Sequence, residues 1–268
     1  MITRTAHRRR LAPPLLFVHG SWHGAWCWDV HFLKFFADAG YDTYAVSLRG
    51  HGGSGGGQRL RRTRIRHYVE DVARAAGGLP ASPIIIAHSM GGFIMHKYLE
   101  TRTAAGVVLL APVPRQGAFR AALRLARRTP VAFARSSLTC SMYPAVATPT
   151  LAKAAFFSPD MPADDAQTYW GRLQDESFTA FLDMLALDLP KAPVGPVPTL
   201  VVGAEKDVIF DPEQIERTAA DYGVAAVWAK DVAHDAMLEG AWRNAADIIL
   251  AWLNALTQAS VPSPPEAG

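Results

Sequence analysis

Apolar positions divide the chain into short, almost wholly apolar runs separated by stretches of helical period. "PLLFVHG" (14–20), "YDTYAVSL" (41–48), "PIIIAH" (83–88), "AGVVLLAP" (105–112), "TLVVGAE" (199–205) and "AAVWAK" (225–230) are the runs. They are too short for helices and too evenly apolar for strands with one wet face. They therefore predict a mostly parallel sheet covered by helices on both faces. Helical patterning fills the gaps: residues 25–40, closed by Gly40 as a C-cap; 65–79, with Tyr68, Val72 and Ala75 on one face; and Ser89 to about 101. It returns at 211–223, with Asp211 as cap and Pro212 at the first helical position, and at 241–256. Strands alternating with helices in this way predict an α/β fold.

The alternation stops between residues 115 and 193. That stretch holds no strand-like run but several helical patterns, punctuated by prolines at 130, 144, 149, 159, 162 and 190. It is too long and too patterned for a loop. A helical cap inserted into the sheet domain is expected, with 1–114 and 194–256 forming the core and 257–268 a flexible tail. The apolar segments "AAFFSPDM", "TYWGRL" and "FTAFLDMLALDL" either line a pocket or pack the cap internally.

Bulk composition narrows the class. Of 268 residues, 50% are apolar and 19% charged, which allows one large domain with an insertion and excludes global disorder. Cys27 and Cys140 stand far apart with no ligand-like neighbours, against both a disulfide framework and a zinc site. The start, "MITRTAHRRRLAPPLLFVHG", imitates a secretory leader, but Pro13 and Pro14 interrupt it and no small-x-small cleavage pattern follows. No apolar run approaches the roughly 20 residues of a membrane span. A cytoplasmic location is expected.

Charge is lopsided. Up to residue 135 there are 20 Lys and Arg against 6 Asp and Glu; beyond it there are 7 against 18. "RLRRTRIRH" (59–67) and "RQGAFRAALRLARR" (115–128) are the densest basic stretches, the second with Phe119, Ala122, Leu123 and Ala126 on one helical face. They invite an anionic surface or ligand, such as phospholipid or an acyl thioester carrier. Pairing with the acidic second half is the preferred reading. No nucleic-acid motif accompanies them.

The corner "AHSMGG" (87–92) switches from strand to helix without a loop and leaves Ser89 at the turn. It resembles the nucleophile elbow of the α/β-hydrolase superfamily, G-x-S-x-G, with Ala87 in place of the first glycine. An ordinary strand–turn–helix junction is the alternative. The resemblance makes Ser89 the nucleophile and the N–H of Met90, at the positive end of a helix, one oxyanion donor. "HGSWHGAWCW" (19–28) is similar to the loop of plant methylesterases, hydroxynitrile lyases and many bacterial esterases. By that likeness Ser21 supplies the second donor and Trp22 stands in the substrate pocket. His19 and His23 are expected to hold the loop, because no carboxylate or Cys completes a metal site there.

The superfamily's triad runs Ser, acid, His. Asp207, in "KDVIFDP", stands where such folds place the acid, while Asp211 suits a helix cap. His234, in "DVAHDAMLEGAW", is the only histidine of the final third. All three follow strand C-termini, where α/β sheets build their sites. The resemblance covers roughly 14–110 and 197–256 and fails in the cap. It implies a serine hydrolase of carboxylic esters, acting on a small-molecule substrate with an apolar acyl or alcohol part, without cofactor or metal. Ser at position 89 disfavours dehalogenases and epoxide hydrolases, whose nucleophile is Asp. Hydroxynitrile lyases carry Lys after the catalytic His, where this chain has Asp235. "VSLRGHGGSGG" looks more like lysophospholipases and monoacylglycerol lipases, in which His51 serves the loop. Thioester or C–C hydrolysis, a lyase-like activity and a non-catalytic receptor on the same fold remain alternatives.

Overall fold

A computed structural model describes residues 1–259. Its strands are β1 (Ile2–Arg4), β2 (Leu15–Val18), β3 (Thr43–Val46), β4 (Ile84–His88), β5 (Gly106–Leu110), β6 (Thr199–Ala204) and β7 (Ala226–Ala229). They form one sheet in the order β1-β3-β2-β4-β5-β6-β7, parallel except for β1, which runs antiparallel to β3. All six expected strands are present. β1 was not expected, since a three-residue edge strand in the basic run "MITRTAHRRR" carries no apolar alternation.

Side chains of β2 alternate between two cores. Leu15 and Phe17 enter one that holds Trp28, Phe32 and Phe36 from α1 (Trp26–Asp29) and α2 (Phe32–Asp38), and Ile249 and Leu253 from the C-terminal helix. Leu16 and Val18 enter the other, with Tyr68 and Val72 of α3 (Ile65–Gly77), Phe93 and Ile94 of α4 (Met90–Tyr98) and Ile215 of α10 (Pro212–Ala220). Each such aliphatic or aromatic burial is worth about 1.5–3 kcal/mol, which is why the strands tolerate no polar alternation. The expected helix over 25–40 is broken at His31, which leaves helical backbone (φ −136°) and stacks its ring on Trp242 at 4.8 Å.

Between β5 and β6 lie α5 (Phe119–Arg128), α6 (Pro130–Thr139), α7 (Pro149–Phe156), α8 (Ala163–Trp170) and α9 (Phe178–Leu182), with no strand among them. Pro130 and Pro149 occupy first turns, where their missing N–H costs nothing. The C-terminal helix, α11, runs Arg243–Ala259, three residues into the stretch expected to be a tail. The rest of that tail lies outside the described residues. No helix among the described residues is long and apolar enough to cross a membrane.

β2 is the switch point of the sheet: the chain leaves it for β3 on one side, then returns to add β4, β5, β6 and β7 on the other. The crevice at the C-terminal ends of β2 and β4 is where such sheets hold ligands.

Candidate active site

Ser89 is the first residue past β4, held at φ 52°, ψ −115°. A non-glycine residue there costs on the order of 1–3 kcal/mol and persists only when its surroundings enforce it. The enforcement is visible: Ser89 N–H donates to Leu110 O at 3.1 Å, and Ser89 O accepts from Gly92 N at 2.9 Å and Val113 N at 3.0 Å. Small residues flank the turn because backbone passes close by. A Cβ on Gly91 would sit 2.7 Å from Val18 O, and one on Gly20 would sit 2.9 Å from the Ser89 Cβ.

The structure brings the three expected residues into one line. Ser89 Oγ lies 2.9 Å from His234 Nε2, and His234 Nδ1 lies 2.9 Å from Asp207 Oδ2. The other Asp207 oxygen accepts from the backbone N–H of Ile209 (2.7 Å) and Phe210 (3.3 Å), which fixes the carboxylate. Asp211 stands apart as the N-cap of α10, its N–H donating to Gln214 Oε1. Burial drives the His234 imidazole down, but the Asp207 carboxylate, joined by Asp235, more than offsets this and leaves it above the ordinary histidine value.

Ser21 and Met90 follow the adjacent strands β2 and β4, and the Ser21 hydroxyl meets Met90 Sδ at 3.4 Å. Neither backbone N–H has an acceptor among the described residues. Trp22 takes a left-handed backbone (φ 65°) and lines the cavity beside Ser89, its indole N–H donating to Met142 O at 3.1 Å.

His19 and His23 do hold the loop. His19 Nε2 accepts the N–H of Leu48 (3.1 Å), leaving Nδ1 to donate to Gly20 O (2.7 Å). Burial, then the neighbouring His51, pushes His19 well below its ordinary value, so it stays neutral. His23 Nδ1 sits 2.7 Å from Ser21 O. Contrary to expectation, a carboxylate does face His23. Asp235, fully buried, places Oδ2 3.0 Å from His23 Nε2, off the line a hydrogen bond needs. Burial pushes Asp235 up, but His23, with His88 and His234 beside it, holds it below the usual carboxylate range. Asp235 N–H also donates to Phe156 O of the insert.

Two further buried residues complete the floor. His88 Nε2 lies 2.9 Å from His234 O, and burial followed by His234 lowers it to about 3, so it is a neutral strut. Glu176 accepts from Tyr68 Oη (2.8 Å) and lies 3.1 Å from His51 Nε2, tying the insert to the glycine-rich loop. His88, His234 and Asp235 bring ligand atoms within 4.8 Å of one another, as a metal would need. However, both His234 nitrogens already face Ser89 and Asp207, and His88 Nε2 is engaged by His234 O, with Nδ1 buried and without a partner among the described residues. Asp235, Glu176 and His88 escaped the sequence reading as site residues, because their partners are distant in the chain; His88 stands inside the "AHSMGG" corner, but at a position the motif leaves open.

Above Ser89, His234 and Asp207 lies a cavity of ≈ 170 Å³, lined mainly by apolar side chains, with Val113, Leu125, Met142, Phe156, Phe181 and Phe210 among them. Its walls come from both the sheet loops and the insert.

A family model described as "Alpha/beta hydrolase family" matches residues 15–248, so the chain belongs to the alpha/beta hydrolase family. Among curated proteins, it is 34% identical over 106 residues to Methylesterase 10 of Arabidopsis thaliana, covering 37% of each chain. It is 41% identical over 73 residues to a monoacylglycerol lipase of Mycolicibacterium smegmatis, covering 25% of this chain and 26% of that one. The chain thus matches between about a quarter and little more than a third of the length of these relatives. Among solved structures, a thermophilic esterase from Thermogutta terrifontis superposes with TM-score 0.71 at 18% identity, covering 95% of this chain and 92% of that one. The monoacylglycerol lipase of Paleococcus ferrophilus gives 0.66 at 20% identity, with 95% and 98% covered.

Proposed function

We propose that the protein is a serine hydrolase of carboxylic esters whose substrate carries an apolar acyl or alcohol part. The observation that carries this reading is the unbroken chain Ser89 Oγ–His234–Asp207, with 2.9 Å at each link, at the foot of an apolar cavity. The names of the methylesterase and monoacylglycerol lipase relatives support it.

In this mechanism His234 Nε2 takes the hydroxyl proton as Ser89 Oγ bonds to the acyl carbon, and the carbonyl π electrons move onto oxygen. Asp207 orients the imidazole and stabilises its cation. The N–H groups of Ser21 and Met90 receive the oxyanion; losing one such donor typically costs about 3–4 kcal/mol of barrier. The tetrahedral intermediate collapses, the alkoxide leaves with the proton from His234, and an acyl-Ser89 ester remains. Water, deprotonated by His234, then attacks that ester and releases the acid. The helical insert acts as a cap, with Trp22, Phe156 and Phe210 gripping the apolar part of the substrate. A lyase role is disfavoured because the residue after His234 is a buried acid, Asp235, where a cation would be needed to steady cyanide.

The test is a series of p-nitrophenyl esters of increasing acyl length. Turnover of medium chains in preference to acetate is expected, with Ser89→Ala losing on the order of 10⁴-fold or more while remaining folded. Full turnover by Ser89→Ala, or cleavage of thioesters with esters untouched, contradicts the proposal.

A further inference from the structure

Helices α5 and α6 present an unusual distribution of side chains. The only residue α6 buries is Ser136, whose hydroxyl has no partner among the described residues. Ala132 and Phe133 are half-buried, and the helix's other apolar residues face outward. Val131, Ala134 and Leu138 share one helical stripe with Arg135, and Val131 and Leu138 are 67% and 84% exposed. On α5, Phe119 (64% exposed), Leu123 (42%) and Arg127 form a second outward stripe at four-residue spacing. Soluble proteins rarely leave large apolar side chains clustered in this way without a use for them.

The charge carried by the segment that bears the stripes is of one sign. Residues 101–159 contain eight Lys and Arg and not one Asp or Glu. Part of this charge is consumed by the acidic half of the chain, as expected: Arg124 pairs with Asp211 and Arg120 with Glu213. Arg127 and Arg135 are exposed and have no ion-pair partner among the described residues. The same holds of Arg59 and Arg62, on a 3₁₀ turn (Gly57–Arg62) that reaches the end of α6 through Arg61 Nη1 and Thr139 O at 3.3 Å. Apolar side chains flanked by long basic ones are the composition of a surface that settles at a lipid–water interface. The apolar groups enter the acyl boundary and the guanidinium groups stay at the anionic headgroups.

We propose that the outer face of α5 and α6 docks onto an anionic lipid surface. The inner face of α5 supplies Ala121, Ala122 and Leu125 to the cavity wall, so docking sets the pocket directly behind the interface. That lipid-borne esters are thereby delivered to Ser89 rests on the ester-hydrolase reading; the docking itself does not. A second copy is a poorer occupant of the same face, because a symmetric contact would set these unpaired arginines against their own copies.

The experiment is co-sedimentation with vesicles of phosphatidylcholine, alone or mixed with phosphatidylglycerol, at low and high salt. The full chain is compared with Ser89→Ala, the double variant Val131→Ser/Leu138→Ser, and the double variant Arg127→Glu/Arg135→Glu. All but Ser89→Ala are also assayed on a soluble short-chain ester. Expected is binding to the phosphatidylglycerol vesicles that falls with salt, is unchanged in Ser89→Ala and is weakened roughly tenfold or more in each double variant. Turnover of the soluble ester should stay within about twofold in both double variants, as exposed substitutions usually allow. Three results overturn the proposal: wild-type protein left in the supernatant with anionic vesicles at low salt, either double variant binding like wild type, or a dimer that Val131→Ser/Leu138→Ser dissolves in the absence of any vesicle binding. Sedimentation without turnover of any ester would retain the docking and refute only the hydrolase reading.

Discussion

In the sheet domain every residue of β2, β4, β5 and β6 is buried and alternate side chains serve two separate apolar cores, whereas α5 and α6 bury between them only Ala122 and Ser136. Elsewhere the insert joins both cores through Phe156, Met161, Leu173, Ala180 and Met184, and discrete polar pins fasten it as well. Glu176 meets His51 and Tyr68, Asp183 meets Arg64 and the N–H of Ile65, Glu239 takes the hydroxyl and N–H of Ser158, and Arg124 reaches Asp211. A close-packed sheet can hold Ser89 in a strained conformation and keep two consecutive hydrogen bonds at 2.9 Å. Helices buried as thinly as α5 and α6 can expose apolar residues without unfolding the core. Ser89, His234 and Asp207 thus sit on the close-packed part of the molecule, while part of the cavity wall comes from the thinly buried α5.

That contrast can be pressed, beginning with the core. Asp207→Asn should keep the fold but lower turnover by about 10⁴-fold, since the amide favours the wrong imidazole tautomer. Steady-state kinetics on a p-nitrophenyl ester reads it, and a loss below tenfold would place the acid elsewhere. Among the pins, Glu176→Ala should be the costliest. It strands a buried His51 and a buried Tyr68 hydroxyl, and urea unfolding should register about 3–5 kcal/mol. If the insert is the compliant layer, hydrogen exchange in α9 should rise before exchange in β4 does.

Asp235 separates positioning from chemistry. His234 works as a base only when neutral, and its pKa is raised, so kcat/KM should climb with pH through a midpoint above the ordinary histidine value of 6.5. Asp235→Asn removes one of the raising charges and should move that midpoint down, with a far smaller loss of turnover than Asp207→Asn. An unmoved profile would make the acid purely structural. The smallest effect belongs to Lys206→Ala, which breaks exposed pairs with Asp160 and Asp231 and should leave the urea midpoint almost unmoved in the same unfolding assay.

What the sequence discloses follows the same division. Strands buried on both faces announce themselves as unbroken apolar runs, and Ser89, Asp207 and His234 each stand just past one of them. The insert's helices were legible as helices, but not the pins that dock them: Glu176 meets His51 across 125 residues, and although His51 stands in the run "VSLRGHGGSGG", no motif marks Glu176. Asp235 was read only as the wrong charge for a lyase, because its burial against His23 depends on how the loops after β2 and β7 meet. The basic stretches were legible as charge. Their division into arginines paired with the acidic half and arginines left outward depends on which faces of α5 and α6 turn to the core.

The most direct test of an activated Ser89 is intact-mass and peptide mapping after exposure to a fluorophosphonate probe. One adduct per chain is expected, located on Ser89 and lost in both Ser89→Ala and His234→Ala. An unmodified wild-type chain, or an adduct that persists when His234 is removed, would contradict the account.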